Sequence, residues 1–359
     1  MFSVGSSRQQ TLVEQRWQGA LSEYVTAIAW SPKGQVLAAS SAAGEVSIYA
    51  NKTFEVRSLQ SPKGQSIDCL AFSCDGEFLA AGGQSGQLWV WQLMATPALI
   101  ATFDQAPVWI EHLAWSPTGH QLAFSLGKEV QVWDADRQEI EATLSFDLSS
   151  VLSLTWHPSG ESLSVGGYQG VKVWMAADWH DEPLTVAIPS ASVAIAWSPD
   201  GTYIASGNLD RTIAVLEWDN PAPWIMRGFP GKIRQLAWSD RSAKNGASLF
   251  ASASAESIVI WEKHADEAIG WNGRVLGTHD GVVQAISFQP STLLLASAAT
   301  DGWVVLWQKA LDLTQALQGA PEGFSTLAWH PQGTYLAAGG CQGEMLVWSS
   351  VSRGKGFGQ

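Results

Sequence analysis

The hexapeptide AWSPTG (114–119) is one of eight variants of a single phrase, and that repetition constrains the fold more than any other feature of the chain. The other copies read AWSPKG (29–34), AFSCDG (71–76), TWHPSG (155–160), AWSPDG (196–201), AWSDRS (237–242), SFQPST (287–292) and AWHPQG (328–333). Their aromatic residues, Trp30, Phe72, Trp115, Trp156, Trp197, Trp238, Phe288 and Trp329, are separated by 42, 43, 41, 41, 41, 50 and 41 residues. A period this steady marks one supersecondary unit repeated along the whole chain.

The grammar of the unit is that of β-structure. An alternating apolar segment such as VTAIAW leads into the aromatic, a Pro/Gly/Asp turn follows, and then comes an Ala/Ser/Gly-rich run such as LAAGG or LASAA. A β-branched run ending in an aromatic closes the phrase: VSIYA, LWVWQ, VQVWD, VKVWM, IVIWE, VVLWQ and MLVWS. Period-two alternation, β-branched residues and frequent turn residues specify strands. A fourth strand fits the variable stretch before the next copy, as in IEATLSF or GRVLGTH. Four short antiparallel strands per unit of about 40 residues is the pattern of a β-propeller blade. The fold class is therefore all-β, a single propeller of eight four-stranded blades, with seven blades as the alternative if one copy is misread. The sixth copy is the irregular one, because the 50-residue interval follows Trp238.

Over residues 11–350 the chain resembles the WD-repeat proteins, and its best-matched unit is GTHDGVVQAISFQPSTLLLASAATDGWVVLW (277–307). The resemblance implies a structural tetrad of His279, Ser297, Asp301 and Trp307, joined by hydrogen bonds. Buried polar groups are tolerated best when such a network is complete. Elsewhere the pattern is degraded. Asp210 repeats the turn aspartate but Leu216 stands where the tryptophan would, and the other turns carry Ala43, Ser85, Gly127, Tyr168, Ala255 or Gln342. Those blades must rely on packing.

The last copy ends at MLVWS and is followed by SSVSRGKGFGQ, which offers no convincing fourth strand. The segment TLVEQRWQG (11–19) supplies one, so strand 11–18 is expected to complete the last blade, which closes the ring and removes an exposed sheet edge. The domain is then 1–350, with 351–359 a flexible tail.

Composition narrows the function. A net charge of −13 and a pI near 4.9 disfavour nucleic acid and anionic membranes as partners, since both need a basic face. MFSVGSSRQQ lacks an apolar signal core, and no apolar run reaches membrane-spanning length, so the expected location is the cytoplasm. Cys69, Cys74 and Cys341 form no CxxC pair and read as reduced, mostly buried thiols. No nucleophile elbow, phosphate loop, dinucleotide fingerprint or HExxH motif occurs, so no catalytic residue, metal or cofactor is expected. His157 and His330 share one repeat slot, and His180 lies in DWHDE, which reads as a solvated turn. The alternative of an enzyme or a small-molecule or metal sensor would use the central channel, facing Ala27, Cys69, His112, Ser153, Ala194, Gln235, Ala285 and Thr326.

Recognition is the remaining class. Twelve of the 20 tryptophans fill repeat slots, leaving Trp17, Trp89, Trp109, Trp179, Trp218, Trp224, Trp271 and Trp303 to explain. Tryptophan is enriched at interface hot spots. In the WD-repeat proteins the residues six and four before the strand-a aromatic emerge on the top face, where partners dock. That carry-over nominates Tyr24, Asp68, Trp109, Glu111, Lys232 and Arg234. A reserve site on the bottom face comprises Trp179, Trp224 and Trp271, all in stretches between strands c and d. The expected function is a non-enzymatic interaction scaffold or regulatory subunit that presents a propeller face to a protein or peptide, as a monomeric propeller or as a subunit of a hetero-complex.

Overall fold

A computed structural model describes residues 11–351 apart from 219, 221, 244, 245 and 278. The 32 strands form eight antiparallel four-stranded sheets. Blade 1 holds Val25–Trp30, Val36–Ser41, Val46–Ala50 and Val56–Gln60 as strands a to d, and blades 2 to 7 repeat that order. The innermost strands contact each other in cyclic sequence, including Val25–Trp30 of blade 1 against Phe324–Trp329 of blade 8. The ring is closed, with eight blades.

Ala/Ser/Gly-rich strands b and β-branched strands c are nearly continuous buried runs, as in Phe78–Gly83 and Val46–Ala50. Strands b and c are covered on both faces by the neighbouring blades, so each core cluster mixes two blades. One cluster, for example, joins Leu88 and Val90 of blade 2 to Leu122, Phe124 and Trp133 of blade 3. Small residues on strand b let the sheets approach closely.

Blade 8 is completed by the N-terminal strand Val13–Ala20, which pairs antiparallel with Glu344–Ser350 from Val13↔Ser350 to Ala20↔Glu344. This strand is also fastened sideways. The Gln315 amide of blade 7 accepts from Leu12 and Val13 N–H (2.8 and 3.0 Å) and donates to the Val13 carbonyl (2.8 Å). On the other side Trp17 stacks on Phe54 of blade 1, with ring centres 5.1 Å apart. Residues 1–10 and 352–359, including almost all of the expected tail, lie outside the described residues.

In blade 6 the extra residues lengthen strand a to Ile233–Ser242, which pairs back onto strand b at Ser242↔Ser248 after a register shift beyond Trp238. The irregular interval is thus an extended a–b hairpin, and the blade itself is intact.

In blade 7 the Trp307 indole donates to Ser297 Oγ (2.9 Å), Ser297 Oγ lies 2.8 Å from His279 Nε2, and His279 Nδ1 lies 2.9 Å from Asp301 Oδ2. Every group is used when the serine hydroxyl donates to Nε2 and the Nδ1–H donates to the carboxylate. Asp301 also accepts from the backbone N–H of Asp280 and Trp303. Burial opposes its charge, but these hydrogen bonds and the histidine outweigh that and hold its pKa below the ordinary carboxylate value.

Candidate partner-binding surface

Antiparallel alternation sorts the loops: d–a and b–c connections emerge on the top face, a–b and c–d connections on the underside. The tryptophans divide along the same geometry. In five of the six blades whose strand a ends in tryptophan, the indole N–H ties the blade to the one before it. Trp115 donates to the Ala71 carbonyl (3.0 Å), Trp156 to Ala114 (3.1 Å), Trp238 to Ala196 (3.2 Å) and Trp329 to Ser287 (3.2 Å). Each acceptor is the carbonyl just before the neighbour's own aromatic. Trp197 donates instead to Ser164 Oγ at 3.1 Å. Trp30, at the seam of the ring, has a buried indole N–H with no partner among the described residues.

The eight tryptophans outside the repeat slots are mostly packing residues. Trp89 is buried and Trp303 half-buried in a core cluster. Trp218 meets Trp197 edge-on at 4.9 Å, and Trp179 meets Trp156 at 5.8 Å. Trp17 is the stacking residue of the closing strand. The exception is Trp109, which is 51% exposed on the top-face connection into blade 3. Ile110 beside it is fully buried and its N–H bonds the Gly83 carbonyl (3.1 Å). Alternation along the chain then turns Trp109 away from the core.

The reserve site does not form the exposed aromatic surface expected of it. Trp271 is only 7% exposed, packed edge-on against Tyr203 and Trp238. Trp224 is half-buried, with the Lys263 ammonium 4.3 Å from its ring centre, and Trp179 is half-buried against Trp156. Trp179 and Trp271 pack on the strand-a aromatics Trp156 and Trp238, and the Trp224 indole donates to the Glu267 carbonyl of blade 6 (3.4 Å), so burial of apolar area wins over display. What the underside does offer is a groove of about 1010 Å³ between blades 6 and 7, edged by Leu293, Ile260, Arg241 and Arg274.

On the top face the nominated residues are spread around the ring. Tyr24 is at the exposed margin on blade 1, and burial, with Cys341 nearby, pushes its phenol pKa up. Asp68 on blade 2 is half-buried and accepts from the Ser66 hydroxyl. Glu111 on blade 3 and Lys232 and Arg234 on blade 6 are exposed. Trp109 and Glu111 thus stand two residues apart on blade 3, Asp68 lies on the adjacent blade near the same Cys69 thiol as Glu111, and the basic pair is three blades away. Three exposed apolar residues escaped the sequence reading: Leu148 (55%), Tyr168 (51%) and Leu209 (54%). All three lie on top-face connections of blades 4 and 5. Tyr168 had registered only as a missing turn aspartate, although a tyrosine in a tight b–c turn is itself a signal of display.

Residues 184–217, 270–308 and 312–349 match the family model described as WD domain, G-beta repeat, and residues 8–75 match the one described as anaphase-promoting complex subunit 4 WD40 domain. The three WD matches coincide with the d strand of one blade plus strands a to c of the next, in a ring that the structure closes with eight blades. The chain is a WD-repeat β-propeller. Among curated relatives, a nuclear distribution protein nudF of Aspergillus niger is 27% identical over 42% of this chain and 33% of its own length. A second nudF, of Aspergillus flavus, is 33% identical over 29% of the chain and 22% of its own length. Eukaryotic translation initiation factor 3 subunit I of Sclerotinia sclerotiorum is 30% identical over 24% of the chain and 23% of its own length. The matched stretch thus spans a third or less of each relative.

Within this WD-repeat ring the shared slot of His157 and His330 has a structural use. His330 Nε2 lies 3.0 Å from the Gly34 carbonyl of blade 1, and His157 Nε2 lies 3.3 Å from the Gly201 carbonyl of blade 5. Gln289 does the same for Gly333 at 2.8 Å. Gly34 and Gly201 have φ of +68° and +73°, and a Cβ on either would collide with the imidazole. The glycines admit the bridge. His120 makes another, lying between Asp136 (2.9 Å) of its own blade and Asp75 (3.0 Å) of blade 2.

The channel-facing slots gather little chemistry. His112 is half-buried, and burial alone lowers its pKa, so it is neutral near pH 7. Among the described residues no group of three His, Cys, Asp or Glu side chains could hold a metal, and His180 sits in an exposed turn. The thiols are free; Cys69 and Cys341 are half-buried, and Cys74 is exposed, contrary to the expectation of burial. No helix of the described residues is long and apolar enough to cross a membrane.

Proposed function

We propose that this WD-repeat propeller is a non-enzymatic, cytoplasmic interaction subunit whose top face docks a protein or peptide. The observation that carries the reading is the fate of the eight surplus tryptophans: seven pack, and only Trp109 is displayed on the face where the d–a and b–c loops converge. A rigid ring lowers the ordering cost of binding, because its loops are held in place beforehand. Tyr24, Asp68, Glu111, Lys232 and Arg234 surround the same face with aromatic and charged groups. One relative is named as a subunit of an initiation factor, which supports work within an assembly.

The test is affinity capture from native extract with three baits: wild type, Trp109→Ala/Arg234→Glu, and Trp179→Ala/Trp271→Ala. Loss of the captured proteins with the first variant alone is expected. Loss with the second alone would move the function to the underside, and capture of nothing specific by wild type would discard the scaffold reading.

A further inference from the structure

We infer that the docked segment is a partner's polypeptide stretch with an apolar half and an acidic half, running across the top face from blade 3 to blade 6. This deepens the top-face reading and rests on it. The exposed apolar side chains of that face are not evenly distributed. Val108, Trp109, Leu148, Tyr168 and Leu209, each more than a third exposed, fall on three consecutive blades, 3 to 5, against Tyr24 (36%) on blade 1 and Val282 (37%) on blade 7 among the described residues. Their loops are tied to one another. The Val151 N–H bonds the Gly127 carbonyl (2.7 Å), the Tyr168 N–H bonds Ser149 Oγ (2.9 Å) and the Leu209 N–H bonds the Ala191 carbonyl (3.0 Å). A row of apolar side chains on fixed backbone is a surface that gains from being covered.

The charge is lopsided too. At the end of that row, Arg211, Arg227, Lys232 and Arg234 are exposed on the connections of blades 5 and 6, and among the described residues none is in an ion pair. Only Asp210 and Glu256 oppose them on those connections, and the Asp210 carboxylate already accepts from the Thr212 hydroxyl (2.7 Å). In a chain of net charge −13, four unpaired cations in one sector are a concentration against the trend. The far half of the face carries Glu23, Asp68, Glu111, Glu322 and Glu344, with Lys63 and Lys128 as its exposed cations. Glu111 sits two residues from Trp109, so the apolar end of the ligand belongs over blades 3 and 4 and its carboxylates over blades 5 and 6. Aromatic anchors supply the affinity and the arginines fix the polarity.

The experiment is selection of a random dodecapeptide display library on the intact chain. Enriched peptides are then synthesised and their affinity measured by fluorescence anisotropy, at low and high salt, against four proteins of matched melting temperature. These are wild type, Arg211→Glu/Arg234→Glu, Trp109→Ala/Tyr168→Ala and Trp179→Ala/Trp224→Ala. We expect enriched sequences that segregate Leu, Phe or Trp from Asp and Glu. Affinity should fall at least tenfold in each top-face double variant and weaken with salt, while the underside variant binds like wild type. Neutral or basic enriched peptides, or undiminished binding to the charge-reversed variant, would overturn the inference. Sensitivity of those peptides to Trp109→Ala/Tyr168→Ala would then leave the top-face reading standing. Peptides lost only with the underside variant, or no enrichment at all, would overturn both.

Discussion

Blades 3 and 7 solve one problem in two ways. In each, a tryptophan ends strand c and pairs with a leucine of strand b, Trp133↔Leu122 and Trp307↔Leu295. Two residues beyond that leucine, blade 7 has Ser297 and blade 3 has Phe124, both with essentially no exposure. The serine completes a hydrogen-bonded chain to His279 and Asp301. The phenylalanine packs against Phe103 of the preceding blade at 5.4 Å, and Phe103 meets Trp133 edge-on at 5.5 Å. One position thus serves either a polar network or an aromatic cluster, and the backbone of the blade does not distinguish them. Blades 5 and 6 stand between, since they keep the serine as Ser206 and Ser252 but lack the histidine. Ser252 still accepts from the Trp261 indole (3.0 Å), and Ser206 joins Ser192, Asn208 and Thr212.

The sharpest way to break the comparison is truncation of the packed version. Phe124→Ala should cost about 3–5 kcal/mol, since it removes a large ring from a dense core and leaves a cavity; chemical denaturation measures it. Asp301→Ala should cost less, roughly 1–3 kcal/mol, the penalty of orphaning buried donors. If Asp301→Ala proved as costly as the ring deletion, the polar network would be contributing more than its separate hydrogen bonds. A smaller contrast comes from Trp307→Phe against Trp133→Phe. Both keep a ring, but only the first deprives Ser297 of a donor, so it should be the more destabilising by about 1 kcal/mol.

The smallest effect is in pH. Asp301 has a folded pKa below its ordinary value, so its contribution is complete above that value and disappears as pH falls through the folded pKa. Asp301→Asn should therefore shrink the acid-side slope of the melting temperature, whereas blade 3's rings have nothing to titrate. His120 has the opposite sign. Burial opposes its charge, but hydrogen bonds to Asp136 and Asp75 prevail and raise its pKa. Its contribution is therefore present at mildly acidic pH and fades as pH rises through the folded pKa. The stability gap between wild type and His120→Asn should narrow on going from pH 5.5 to 8.5; a constant gap would mean the imidazole acts by packing alone. Its partner Asp75 is held at about 2, because hydrogen bonds from Glu77 N–H, Ser73 and His120 overcome the burial that would raise it.

Much of this was readable from the residues. The spacing of Trp30 to Trp329 gives eight blades, and the missing strand after MLVWS points to 11–18 as its replacement, because strand content follows from periodicity and a repeat that lacks its fourth strand leaves strand c as an exposed edge. The slots of Tyr24, Trp109 and Lys232 come from the resemblance to the WD-repeat proteins rather than from spacing alone. What spacing does not give is exposure. Trp109 and Trp271 look alike in sequence, each an extra indole in a loop or at its edge. Trp109 is displayed because buried Ile110 turns it outward; Trp271 is covered because Tyr203 of blade 5 and Trp238 of blade 6 receive it. That depends on residues far away in the chain. The acceptors of the strand-a indoles were illegible for the same reason, as backbone carbonyls carry no sequence label.

The closing sheet also settles how the ring bears load. Val13 and Ser350 are paired at the underside end of neighbouring antiparallel strands, so tension on the chain at those two points pulls the strands apart from one end. Such a force opens one pair at a time, toward Ala20 and Glu344, and never has to shear the whole strand at once. A disc stiff enough to hold loops for a ligand is, along this line, a zip.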